Sequence, residues 1–295
     1  MRTPTKEKSR RQASAKVTSS PVRPSHSMKD VRFDRSGPGS ATRILRVLEC
    51  FLPSDHDLSL SQIAERLSMT KSSIHRALTT LSVHGLVEQD PVTRRYRLGI
   101  RLFEIGAAAI HQRGLHGAAH PALVELATAT GEACHLAVLS RTEAVYIYKI
   151  DGTSNFSMTS RVGGRAPIHC TSIGKVLLAW GSTSLLRRLV DGGLRQYTPE
   201  TITSPTKLAE ELERVRAKGY ALDDGEYEVG LKCVAAPIRD HAGAVVAAIG
   251  IAGPASRLTD DYMVGLVPLV QSAGVTVSRS LGYLDSNSHV LSLAK

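Results

Sequence analysis

No run of about 18 apolar residues occurs in the 295-residue chain, which excludes a membrane-spanning helix and argues against a membrane partner. The opening "MRTPTKEKSRRQASAKVTSSPVRPSHS" lacks the apolar centre of a secretory signal. It is rich in Arg and Ser and poor in acids, as organelle transit peptides are. The domains that follow favour a disordered arm on a bacterial-type cytoplasmic protein instead. No C-x-x-C pair joins the cysteines at 50, 134, 170 and 233. That disfavours a structural zinc site and a disulfide framework, and suits a reducing compartment.

Acids are scarce in two further places. Residues 1–38 hold ten Lys/Arg against three acids, whereas residues 39–100 hold eight against six and 101–295 nineteen against eighteen. The net charge of +10 is therefore concentrated in a polar arm too poor in apolar residues to fold alone. Such an arm is a solubilising tail or, more sharply, an added attraction for phosphates. The second place is "MTKSSIHRALTTLSVHG", residues 69–85, which has no acid at all. Ile74, Ala77, Leu78 and Leu81 recur at helical spacing, and Lys71, Ser72, Ser73, His75, Arg76, Thr79 and Thr80 make the other face.

What is present around that stretch gives it a context. Ser40 can cap a helix over "ATRILRVLECF", which Pro53 and the Asp/His run then break. "LSLSQIAERLS" forms a second helix capped by Ser59 or Ser61. The short break "SMT", with Thr70 as cap, leads into the acid-free helix, giving a helix-turn-helix order. Gly85 suits a left-handed helix end. "LVEQDPVTRRYRLG" then reads as a hairpin turning at Asp90-Pro91, a wing, with Arg95 and Arg97 on one face and Arg94 and Tyr96 on the other. Arginines on an exposed hairpin suit phosphates or a minor groove. Short hydroxyls and an arginine on a groove-sized helix suit base edges, and acids there would be repelled by phosphate. Lys71, Ser72, Ser73, His75, Arg76 and Thr79, with Arg94, Arg95 and Arg97, are the candidate DNA-binding residues.

"GIRLFEIGAAAIHQRGLHG" continues as a helix with Leu102, Ile105, Ala109 and Ile110 on one side, a connector suited to pairing with a partner subunit. "PALVELATATG" is a further helix ended by Gly131. "EACHLAVLS" and "EAVYIYKID" read as strands turning at Arg141-Thr142. "FSMTSRVGGRAPIH" holds a third strand and a glycine turn. "TSIGKVLLAW" and "TKLAEELERVRAKG" read as helices. "KCVAAPIRD" and "AVVAAIGIAG" form a hairpin, and a helix over about 258–284 closes the chain. Hairpins with helices around them make an α+β domain with an antiparallel sheet.

Three kinds of chemistry fail there. A P-loop needs Gly five residues before Gly174-Lys175 and Ser/Thr after it, but His169 and Val176 occupy those places. Cys170 beside His169, and Cys134 beside His135, point apart along the chain and lack an orienting Asn or Asp; buried structural cysteine is the simpler reading. Asp223, Asp224, Glu226 and Glu228 lack the ligand spacing of a calcium loop and read as a solvated acidic loop. No catalytic residue, metal site or cofactor is assigned. A binding role has more support: Thr171 and Ser172 open the "IGKVLLAW" helix, where free N–H groups favour a carboxylate, although small polar residues there are also ordinary caps.

The two halves together resemble the IclR family of bacterial transcriptional regulators over about residues 39–285. The resemblance rests on "LSLSQIAERLSMTKSSIHRALTTLSVHGLVEQDPVTRRYRLG", on "RVGGRAPIHCTSIGKVLLA", and on "GYALDDGEYEVGLKCVAAPIRDHAGAVVAAIGIAGP". The last segment carries the family's order of Gly219, Asp223, Glu226 and Cys233-Val234-Ala235. The resemblance implies a winged helix-turn-helix (39–100), a linker helix (101–118) and a GAF-like effector-binding domain (119–285); the basic arm (1–38) and a flexible tail (286–295) lie outside it. It implies a homodimer or homotetramer on a palindromic operator in double-stranded DNA, with a small carboxylate effector. The effector positions it implies are Ser172, Ile173 and Gly174, together with Asp223, Leu231 and Cys233. Gly250 and Ala252 stand where members often present hydroxyls, which loses polar anchors and widens the pocket, while Met158 and Ile173 add apolar wall. An effector with one carboxylate and a sizeable apolar body, aromatic or sugar-derived, follows. The chain is then a regulator, a repressor or dual regulator of a catabolic operon, and not an enzyme. The alternatives are an enzyme or a protein-interaction module carrying an accessory winged helix.

Overall fold

The computed structural model describes residues 39–52, 57–111, 114–153 and 160–284. The basic arm, the break at Pro53, the "FSMT" opening of the expected third-strand segment with Met158, and the C-terminal tail lie outside the described residues. The chain divides into two units, up to Ile105 and from Gly106.

The first unit packs α1 (Ser40–Glu49), α2 (Leu60–Leu67) and α3 (Lys71–Val83) against a hairpin of β1 (Val87–Gln89) and β2 (Tyr96–Leu98). Val47, Ile63, Ile74, Leu78, Leu81 and Val87 are fully buried in its core. Local chemistry sets the ends. Ser59 and Gln62 form a capping box at α2, and Ser68 in the left-handed region ends it. Thr70 accepts the Ser73 N–H at the start of α3. The turn between α2 and α3 is thus three residues long. Ser40 does not cap α1: it is already helical, and Gly39 precedes it without a side-chain bond. The hairpin is tied to the helices by Leu58, which bridges Tyr96 through Leu58 N–H to Tyr96 O at 2.9 Å and the reverse bond at 2.8 Å. α4 (Ile100–His111) follows directly.

The second unit is a six-stranded antiparallel sheet ordered β5-β4-β3-β8-β7-β6. Its strands are β3 (Ala133–Ser140), β4 (Glu143–Ile150), β5 (Arg165–Pro167), β6 (Ala221–Asp224), β7 (Leu231–Arg239) and β8 (Val245–Pro254). Alternation along the strands sorts side chains to two faces. Leu136, Val234, Ile249 and Ile251 meet α5 (Leu115–Thr130) and α9 (Asp260–Ser280). Ala137, Ala235 and Ala248 meet α6 (Ser172–Ala179), which packs on α8 (Pro205–Lys218). Small residues on that face let α6 lie close to the sheet.

Several expectations are corrected. α5 begins at Leu115 and runs through Pro121, so the segment after α4 is not one helix to residue 118. Among the described residues the third strand is Arg165–Pro167. A further helix, α7 (Thr183–Asp191), capped by Ser182, lies where the sequence pattern gives no expectation. The closing helix spans Asp260–Ser280, with Thr259 as its cap. The acidic segment is not a loop throughout: it opens as strand β6, with Ala221 and Asp223 buried and Leu222 and Asp224 exposed.

Candidate functional site

In the first unit α3 buries Ile74, Ala77, Leu78 and Leu81 and exposes Lys71, Ser72, His75, Arg76 and Thr79; Ser73 is half-buried. The side chains of Lys71, His75 and Arg76 have no hydrogen-bond or ion-pair partner among the described residues, so three donors face outward uncommitted. Thr79 and Thr80 donate their hydroxyls to the His75 and Arg76 carbonyls at 2.9 and 3.1 Å, which leaves their lone pairs rather than their protons for another partner.

The three wing arginines separate. Arg94 precedes β2 with φ +58°, so the alternation expected to place it beside Tyr96 does not reach it: Tyr96 is buried and Arg94 exposed. Arg95 turns inward, donating from Nε to the Asp57 carbonyl and from its guanidinium to Gln62 Oε1, both at 3.0 Å. Gln62 is also the capping-box partner of Ser59, so Arg95 pins the wing to the start of α2. Arg97 pairs across the hairpin with Glu88 at 3.0 Å, both well exposed. Only Arg94 of the three is uncommitted among the described residues. Arg95→Ala is expected to lower stability by about 1 kcal/mol in urea unfolding, through the lost hydrogen bond to the half-buried Asp57 carbonyl and the one to Gln62, while Arg94→Ala leaves the midpoint unchanged.

In the second unit the sheet register gathers most of the expected effector positions. Asp223 pairs with Cys233, Cys233 with Ala252, and Gly250 with both Ala235 and His135. Leu231, Cys233 and Ala252 form a small buried apolar cluster. A Cβ at Gly250 would come 2.6 Å from the Val234 carbonyl, so the glycine permits close approach of β7. Gly174 serves similarly: a Cβ there would lie 2.7 Å from the Pro167 carbonyl. At the start of α6, Thr171 accepts the Gly174 N–H at 3.1 Å and donates to Pro167 O at 2.6 Å. The Lys175 N–H goes to Thr171 O. The helix-start donors left for another group are those of Ser172 and Ile173. Ser172, Ile173 and Gly174 are all buried.

Beside this lies a buried ionic cluster that reading the sequence missed. Lys175 is 1% exposed, and its Nζ pairs with Glu226 at 2.5 Å and Glu211 at 3.2 Å. Glu226 keeps its other oxygen, Oε2, buried and unpartnered among the described residues. The Glu226 N–H donates to Asp223 at 2.8 Å, and its carbonyl accepts from Thr198 and Thr201. These bonds hold the loop after β6 in place, so only Asp224 and Glu228 are the solvated acids once expected of all four. Burial, reinforced by Glu226, pushes the Asp223 carboxyl up to about 7. Burial also raises Glu226, against the pull of Lys175.

The nucleophile reading fails on charge state. Burial pushes the Cys170 thiol up, and raises Cys134 to about 12, the opposite of what an activated cysteine requires. His135 is held down near 4 by burial and by Lys149, and its Nε2 meets the Ser160 hydroxyl at 2.8 Å. His169 donates from Nε2 to the Arg195 carbonyl at 2.9 Å. Lys175, tested as a phosphate-loop residue, is buried in α6 and neutralised by acids. A surface cleft of about 420 Å³ lined by Thr130, Glu132, Thr153, Arg257 and Tyr262 lies apart, its arginine matched by Glu132 at 2.6 Å. No helix among the described residues is long and apolar enough to cross a membrane.

Comparison with known proteins joins the two units. Residues 40–91 match the IclR helix-turn-helix domain model, and residues 107–279 match the model for the C-terminal part of bacterial transcriptional regulator IclR. The HTH-type transcriptional regulator XynR of Escherichia coli is 37% identical over 245 residues, covering 83% of this chain and 97% of its own. The HTH-type transcriptional regulator KdgR of the same organism is 35% identical over 251 residues, 84% of this chain and 95% of its own. The Thermotoga maritima IclR crystal structure superposes with a TM-score of 0.69 at 33% identity, covering 83% of this chain and 99% of that one. An IclR homolog from Microbacterium hydrocarbonoxydans complexed with 4-hydroxybenzoate gives 0.75 at 27%, covering 82% and 98%.

Proposed function

Because this chain belongs to the IclR family of bacterial transcriptional regulators and not to a family of enzymes, we propose that α3 and the wing read an operator whose occupancy a small organic acid controls from the second unit. The observation that carries the DNA half is the acid-free face of α3, with Lys71, His75 and Arg76 uncommitted over a fully buried apolar stripe. Arg76 reads a base edge, and Lys71, Ser72, Ser73, His75, Thr79 and Arg94 set the register on the backbone. Arg95 supports the wing from behind, and Arg97 reaches phosphate by leaving Glu88. The exposed apolar side chains of α4, Ile100, Phe103 and Ile105, suit pairing with a second copy, so that two recognition helices address half-sites roughly 34 Å apart or a multiple of it.

The effector half is supported by the register that sets Asp223, Cys233 and Ala252 side by side on β6, β7 and β8, with Leu231 in the same apolar cluster as Cys233 and Ala252. The Microbacterium hydrocarbonoxydans homolog is complexed with 4-hydroxybenzoate, and the apolar Leu231–Cys233–Ala252 surface suits a comparable body here. The acid moves operator affinity only by the difference in its affinity for the DNA-competent and DNA-incompetent arrangements. Relief of repression is the expected output. A thermal-shift scan of organic acids tests this half: aromatic or sugar-derived acids stabilise the protein, and stabilisation by two- or three-carbon acids alone would sink it.

A further inference from the structure

The candidate effector site has a charge problem. Asp223 is 2% exposed and forms no ion pair: its oxygens take backbone N–H groups of Glu226 and Tyr227, and the pull of the nearby Lys175 is too weak to offset its burial. The one ammonium in the cluster, that of Lys175, is spent on Glu226 and Glu211. The other titratable groups around Asp223 are Cys233 on β7, Tyr146 on β4, Cys170 ahead of α6, and Glu226 and Tyr227 in the loop after β6. None of these adds a positive charge. A carboxylate arriving beside Asp223 therefore meets a like charge away from water, where repulsion is poorly screened. Two carboxyl groups in that position resolve the conflict by holding one proton between them.

We propose that Asp223 is a proton-carrying donor of the effector site: it holds a proton in the complex and donates it to the effector carboxylate, so that binding the acid anion draws one proton from solvent whenever Asp223 starts ionised. This rests on the effector reading above. One O–H bond forms on the Asp223 carboxyl, the proton comes from the buffer, and no other bond changes.

The sign follows from where the group titrates. With the free carboxyl titrating near 7, Asp223 already holds its proton at pH 6, and uptake is absent. Above pH 7.5 each acid bound takes up close to one proton, and affinity falls as pH rises. The buried thiols of Cys170 and Cys233 and the Tyr146 hydroxyl are all pushed up, and His135 and His169 are pushed down, so they do not mimic this window.

Calorimetric titration of the full chain with 4-hydroxybenzoate and with gluconate, at pH 6, 7.5 and 8.5 in buffers of low and high ionisation enthalpy, is the test. For whichever acid binds, Kd rises about tenfold from pH 7.5 to 8.5, and uptake grows from none at pH 6 to about one proton at pH 8.5. Asp223→Asn, which keeps an oxygen for the Glu226 N–H and an amide donor for the ligand, removes both effects. A wild-type Kd that ignores pH, with no proton uptake, overturns the proposal and leaves the effector reading standing; this measurement needs no variant. Neither acid binding at any pH takes down the effector reading and the proposal with it.

Discussion

Replacing Lys175 with methionine is expected to cost the folded protein about 3–5 kcal/mol, because it strands two carboxylates that share one buried ammonium. Methionine fills much of the same volume, so the loss is electrostatic rather than a cavity. Glu211 retains Arg214 at 2.9 Å, whereas Glu226 is left with an Oε2 that is already unpartnered and an Oε1 that has lost its cation. Protonating Glu226 relieves the strain. In the variant its folded carboxyl titrates further above the unfolded value, so the folded state binds the extra proton. Stability of Lys175→Met relative to the native chain is then nearly recovered at acid pH and lost as pH rises through the raised value. Urea unfolding at pH 5 and pH 8 measures this. An equal, small loss at both pH values would show that the cluster is not a closed ion pair.

Arg76→Ala is expected to weaken specific operator binding by about 1–3 kcal/mol without changing the unfolding midpoint. The guanidinium is exposed and has no partner within the protein among the described residues, so nothing in the fold depends on it. Its loss also relaxes sequence preference at the base pair it reads, while affinity for unrelated DNA changes little beyond one phosphate-like contact. Competition binding against single-base operator variants resolves this. Uniform weakening across all variants would reassign Arg76 to the phosphate backbone.

What was legible in the sequence is what local periodicity and capping determine. The Ile74–Leu81 stripe, the Thr70 cap, the left-handed Gly85 and Gly131, and the β7–β8 hairpin all depend on near neighbours, and each stands where the residue pattern put it. The misses depend on distant ones. Lys175 sits in an apolar run, and its acids arrive from 36 and 51 residues away. Only the fold makes that lysine a buried hub. Arg95 reads as one more wing arginine until Asp57 and Gln62, 38 and 33 residues away, claim it. β6 alternates as a strand should, but its buried positions are Ala221 and Asp223 while Leu222 faces out, so polarity disguised the period. Pro121 suggested a helix start, yet α5 absorbs it. The acid of the effector site was named from resemblance; its want of a counter-ion is visible only once Lys175 is seen to be taken.

The central claim is that this chain binds a defined DNA sequence through α3 and the wing and that a carboxylic acid bound in the second unit changes that affinity. The most direct test is a gel-shift titration of the full chain on the DNA upstream of its own coding region, with excess non-specific competitor, in the presence and absence of 4-hydroxybenzoate and of gluconate. The account predicts a discrete, competitor-resistant complex whose midpoint moves with one of the acids. A smear that disappears with moderate salt and does not respond to either acid would contradict it.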